Sequence, residues 1–144
     1  MSDLLLIGAC AGGMAGVIMT LASHIAPRFA VKNFIRDTQR FQIFGYTITR
    51  READLIGVFV HLVVSVLAGL GFAYGVEYGW IAGFHILPVL GWAVLLLLFS
   101  GAIVMPLEGH GFFGIKHDSW FILDVILTNL LWGGLYLTFV HLWI

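Results

Sequence analysis

Four stretches of the chain are nearly unbroken runs of apolar residues: about 4–25, 55–76, 81–105 and 120–144. A hydrocarbon core takes about 20 residues of helix, and each run meets that length with few charges inside it. Lipid offers the backbone no hydrogen-bond partner, so a spanning segment is either a helix or a strand of a closed barrel. These runs are too long and too uniformly apolar for barrel strands. The pattern predicts an all-α, integral membrane four-helix bundle, with residues 1–144 as a single transmembrane domain.

Between the first two runs the pattern changes. Arg28, Lys32, Arg36 and Arg40 recur every four residues, while Val31, Phe34, Ile35, Phe41 and Ile43 largely occupy the other faces. That spacing predicts an amphipathic helix lying in the membrane interface, its cations on anionic lipid headgroups and its aromatics in the acyl boundary. Thr49-Arg50-Arg51-Glu52 then has the form of a capping box, which starts the second span near residue 50.

The few polar and small positions inside the runs fall in register. Gly8, Gly12, Gly16 and Thr20 follow one another at intervals of four, and His24 extends the line; Gly57, His61, Ser65, Gly69 and Ala73 repeat the device in the second run. Helices in lipid associate where small residues let backbones approach, so these stripes predict a tight contact between helices one and two. Pro88 removes a backbone donor near the start of the third run, and Pro106 is expected to end it. The stretch that follows, Leu107-Glu108-Gly109-His110-Gly111-Phe112-Phe113-Gly114, is glycine-rich yet partly apolar. It is expected to fold back against the bundle or dip into the interface, with irregular backbone.

Composition agrees with lipid as the solvent: 60% of residues are hydrophobic, 10% are charged and the mean hydropathy is +1.01, too few polar groups to cover a water-soluble globule. Charge adds orientation. All seven Lys and Arg residues, the four above with Arg50, Arg51 and Lys116, fall in the first and third connections. Cationic loops stay in the cytoplasm, so both termini are expected on the non-cytoplasmic side of a prokaryotic inner membrane. Tyr74, Tyr78, Trp80 and Trp143 then mark the outer interface and Trp120 the inner one, while Trp92 and Trp132 lie deeper as packing residues. Cys10 has no partner for a disulfide. The first run lacks a charged leader and reads as a retained span.

Candidate chemistry gathers at the cytoplasmic end: His24, His61, His110 and His117, with Glu108, Asp118 and Asp124. Rise per residue puts His61 about 10 Å and Asp124 about 8 Å below the inner boundary, so the two are a candidate intramembrane polar pair. An acid at that depth costs at least ~2.5 kcal/mol on insertion scales and faces inward with a partner. It could serve a proton relay or a metal. The simpler use is as interhelical glue bonded to His61, Asn129 or a loop amide. The histidine spacings match no strong zinc pattern, and His24 and His61 stand at unequal depths for a haem between them. No cofactor is therefore expected, with haem or metal ranked behind. Ser65 has no adjacent base, Cys10 has no cationic neighbour, and Gly12-Gly13 lies within a span, so neither covalent catalysis nor a phosphate loop is expected.

The glycine-rich span Gly8–Thr20, the segment from Gly57-Val58-Phe59-Val60-His61 to Gly71-Phe72-Ala73-Tyr74, and the motif Met105-Pro106-Leu107-Glu108-Gly109-His110-Gly111-Phe112-Phe113-Gly114 carry a resemblance. With them the chain resembles a family of small, uncharacterised four-helix membrane proteins of bacteria and archaea. The resemblance implies the four-helix fold and singles out the loop Pro106–Gly114; it transfers no activity. The expected function is that of a non-enzymatic accessory or structural subunit of a larger membrane complex, respiratory or photosynthetic in type, with other subunits or copies of itself as partners and no nucleic acid. A small oligomeric proton-coupled transporter using His61, Asp124 and the loop is the alternative. A haem- or metal-binding electron carrier comes third.

Overall fold

The computed structural model describes residues 2–25, 41–43, 46–107, 111–114 and 119–144. The expected headgroup residues Arg28, Lys32, Arg36 and Arg40 lie outside them, as do Glu108, Gly109, His110 and His117. Four helices are long and apolar enough to cross a membrane. They are α1 (Asp3–Ile25), α2 (Arg50–Glu77), α3 (Ile86–Phe99) with its continuation, and α4 (Ser119–Trp143).

Ahead of α2, Phe41–Ile43 and Tyr46–Ile48 pair as a two-stranded antiparallel ribbon in which Phe41 faces Ile48 and Ile43 faces Tyr46. This corrects the expectation that Phe41 and Ile43 belong to the amphipathic helix. Aromatic and β-branched residues here sit on either side of a glycine, a composition that favours a hairpin over a helix. Thr49 follows as the N-cap of α2 and forms the complete capping box. Its hydroxyl oxygen accepts from the Glu52 N–H at 3.3 Å, and the Glu52 carboxylate accepts from the Thr49 N–H at 2.9 Å. Those bonds hold the Glu52 carboxyl below the usual glutamate range, the Thr49 N–H being the larger cause.

α1 and α2 run antiparallel, because Ser2 at the start of α1 meets Glu77 at the end of α2. The Ser2 hydroxyl donates to that carboxylate while accepting from the Leu5 N–H. The contact between them is made of small residues. A Cβ on Gly8 would collide with the Ala73 methyl, one on Gly12 with the Ser65 carbonyl, and one on Gly16 would stand 2.7 Å from the Ser65 side chain. Backbone therefore touches backbone over two turns, where side chains larger than a hydrogen have no room. α1 packs next most closely on α4, and α4 on α3. The backbones of α2 and α3 stand further apart, and aromatic rings fill the gap between them.

The third helix starts at Ile86, later than the apolar run that begins at Ile81. Glu77 is followed by a turn in which the Trp80 and Ile81 N–H groups both donate to the Gly75 carbonyl, at 2.8 and 3.0 Å. The Ile81 side chain lies where a Cβ on Gly75 would be. Pro88 occupies the first turn of α3, where its missing N–H costs nothing. At its far end α3 is described to Leu107, one residue past the expected stop at Pro106. It widens into a π-helical turn, Ser100–Val104, and closes with one α turn, Met105–Leu107. The Met105 N–H donates to the Ser100 carbonyl, five residues back. In a regular helix the Pro106 ring would press on the carbonyl of Ala102 and leave it without a donor; the wider turn just before the proline is how the chain continues.

Candidate functional site

The bundle has two unlike ends. Around the termini a filled aromatic core closes it: Phe72 and Tyr136 are 0% exposed, and their rings lie 5.6 Å apart, edge to face. Phe84 and Trp92 meet Phe72 at 5.6 and 5.9 Å, and Trp132 stacks on Tyr136 at 5.1 Å. The Tyr136 hydroxyl donates to the Gly69 carbonyl at 3.0 Å, so one phenol ties α4 into the glycine contact of α1 and α2. Among the described residues the buried indole N–H groups of Trp92 and Trp132 have no hydrogen-bond partner. The apolar pattern assigns those two residues to packing and does not single out Tyr136. The signal for it is an aromatic residue at matching depth in the second, third and fourth runs.

At the opposite end the Met-Pro to Gly-Phe-Phe-Gly motif makes a more unusual structure. Phe112–Gly114 forms a single 3-10 turn closed by the Gly114 N–H on the Gly111 carbonyl at 3.2 Å. Gly111 (φ 76°), Phe113 (φ 51°) and Gly114 (φ 69°) all adopt left-handed backbone. For the two glycines this is cheap; for phenylalanine it costs about 1–3 kcal/mol and persists only where surroundings enforce it. What enforces it is Gly101 in the π turn, whose missing side chain leaves the notch that the Phe113 ring occupies. Met105 is 1% exposed and Gly114 is buried beside this contact, Pro106 is half-buried, and Phe112 points outward at 64% exposure. A π turn and a strained non-glycine residue are features that concentrate at functional sites, and here they touch each other.

His61 sits half-buried on α2 and meets the Gly16 carbonyl of α1. The side chain of Asp124, the other half of the expected polar pair, lies outside the described residues. Asn129 donates to the Val125 carbonyl of its own helix at 2.8 Å. Gly57 is half-buried on the first half of α2, and Thr20 donates to the Gly16 carbonyl at 2.9 Å. At the end with the termini, the His141 ring bonds the Leu137 carbonyl within α4, and His85 is the exposed N-cap of α3. Among the described residues no three His, Cys, Asp or Glu side chains gather where they could hold a metal ion.

Fold and site together define a bundle of four helices long and apolar enough to cross a membrane, with an apolar aromatic centre at one end and, at the other, a π turn against the strained turn Phe112–Gly114. Comparison with protein-family models, with curated proteins and with solved structures returns no match to this chain.

Proposed function

We propose that the chain is a non-enzymatic accessory subunit of a larger membrane assembly, seated in a prokaryotic inner membrane with both termini on the non-cytoplasmic side. The observation that carries this reading is the filled centre. Among the described residues Ser65 is the buried polar side chain of the bundle, while Phe72, Trp132, Tyr136 and Val140 occupy the middle of its terminal half. A carrier needs polar groups lining a path, and this half presents rings instead. Between 17 and 33% of each span window is buried within the chain, which leaves most of every helix for lipid or for neighbouring subunits. The orientation rests on the placement of every Lys and Arg in the two connections at one end.

Proton-coupled transport is the second reading, favoured by one observation: the π turn and the strained Phe113 lie at the end where His61 enters the bundle. The test is the native mass of the tagged chain extracted from its own membrane in mild detergent, with co-migrating polypeptides and the visible spectrum recorded on the same sample. The expected result is a large particle with stoichiometric partners. A lone monomer or small homo-oligomer overturns the subunit reading in favour of transport, and visible absorbance from haem or pigment would favour an electron carrier.

A further inference from the structure

Trp80 belongs to two features at once. Its ring completes an exposed cluster with Tyr74 and Tyr78, at centroid distances of 5.7 and 6.1 Å, just past the end of α2. It also borders an open groove of about 390 Å³ whose other walls include Ile81, Pro88, Gly91, Trp92 and Leu95. Among the described residues nothing lies within 4 Å of where a Cβ on Gly91 would stand, so none of them fills that space. From Pro88 to Leu95 the groove follows α3 for about 10 Å, most of one leaflet of a hydrocarbon core that is about 30 Å thick. At that depth the surrounding medium is acyl chain. The groove is concave, apolar and open to it.

The charge at this end selects what stands above the groove. Asp3 and Glu77 are here, and every Lys and Arg of the sequence lies in 28–51 or at 116. The Tyr78 and Trp80 rings, 59% and 75% exposed, offer π faces one and three residues after Glu77. The carboxylates at this end repel an anionic headgroup, whereas an ammonium group meets a carboxylate and two rings. We propose that Trp80 and the α3 groove form a binding site for a zwitterionic phospholipid of the leaflet on the side of the termini. One acyl chain lies along Pro88, Gly91 and Leu95, and the ammonium headgroup sits on Tyr78, Trp80 and Glu77. The site needs the chain to be a membrane protein and does not depend on which assembly it joins.

Native mass spectrometry of the full chain, delipidated and then offered equal amounts of phosphatidylethanolamine and phosphatidylglycerol with matched acyl chains, tests the site. The expected result is a retained phosphatidylethanolamine adduct with a preference of roughly two- to fivefold. Gly91→Leu, which fills the groove, is expected to cut the adduct about tenfold at an unchanged melting temperature. Glu77→Gln is expected to abolish the preference while an adduct persists. If Gly91→Leu melts early, Trp80→Ala decides, since that exposed ring can be removed without opening the core. Equal or better retention of phosphatidylglycerol by the unaltered protein overturns the proposal, as does an adduct that survives both groove variants. Loss of a homodimer on Gly91→Leu, with lipid retention unchanged, overturns it in favour of a second copy of the chain in the groove.

Discussion

On the side of the termini, Gly8, Gly69, Ala73 and Tyr136 meet without space between them, and a hydrogen bond from Tyr136 crosses from one helix pair to the other. On the basic side, Phe113 holds a left-handed backbone against a π turn, and Thr49 and Glu52 bond each other within the first turn of α2. The first half gains from close packing and is correspondingly intolerant of added volume. The second has been given strain and local bonds, which let one segment change without unseating the rest. Stability and adaptability have been placed at opposite ends of the same four helices.

The largest expected effect comes from adding volume to the tight half. Gly12→Leu would drive a side chain into the Ser65 carbonyl and the Gly69 Cα, backbone atoms that cannot swing aside. It is expected to cost about 3 kcal/mol or more and to leave little folded bundle, read as the denaturant midpoint in detergent. An equally large substitution at Gly91 or Gly134, where no described residue stands within 4 Å, is expected to leave that midpoint nearly unchanged. Equal losses at all three positions would break the assignment of stability to the glycine contact. Next comes Tyr136. Tyr136→Ala empties a fully buried site and is expected to cost about 3–5 kcal/mol. Tyr136→Phe loses only the bond to Gly69, worth about 0.6 kcal/mol within a membrane. A large loss in Tyr136→Phe would mean that the hydrogen bond, not the ring, ties the helix pairs together.

Smaller and more local is the expected effect of Gly101→Ala, which puts a methyl where the Phe113 ring sits. The turn Phe112–Gly114 is expected to leave its notch. Amide exchange over 100–107 and 111–114 rises severalfold while the global stability falls by only about 1 kcal/mol. Phe113→Gly offers the complementary reading, because it removes the ring and relieves the left-handed strain together. If Gly101→Ala unfolds the whole bundle, the two ends are coupled and the contrast between them fails.

Period and composition along the chain suffice for the four apolar helices, the capping box at Thr49 and Glu52, and the glycine stripes. Each depends on near neighbours in sequence, and one stripe at intervals of four needs only a second to meet it. The π turn is not legible in the same way, because Pro106 marks a helix end and a helix bypass equally well; what decides is Phe113, seven residues on, seated at Gly101. Tyr136 escapes notice for the same reason, since its partner Gly69 is remote in sequence. Phe41 and Ile43 mislead because the four-residue cation repeat upstream runs on into residues whose own composition favours a hairpin.

The smallest effect tests whether the basic end holds itself by local bonds at all. The Glu52 carboxylate accepts from both the N–H and the hydroxyl of Thr49, at 2.9 and 2.8 Å, and its folded pKa lies below the ordinary range for that reason. A carboxyl depressed in this way stabilises the folded helix start fully above its unfolded pKa and loses that contribution as pH falls through the folded value. Amide exchange at the first turn of α2, corrected for the intrinsic rate, is therefore expected to rise between neutral pH and about pH 3, with the glycine contact unaffected. Glu52→Gln keeps a side-chain acceptor for the Thr49 N–H but cannot titrate, so its first turn should exchange at one corrected rate across the same range. If the unaltered helix start is equally flat, the capping box does not control fraying there, and the pairing of Phe41–Ile43 with Tyr46–Ile48 before it is what holds the end of α2.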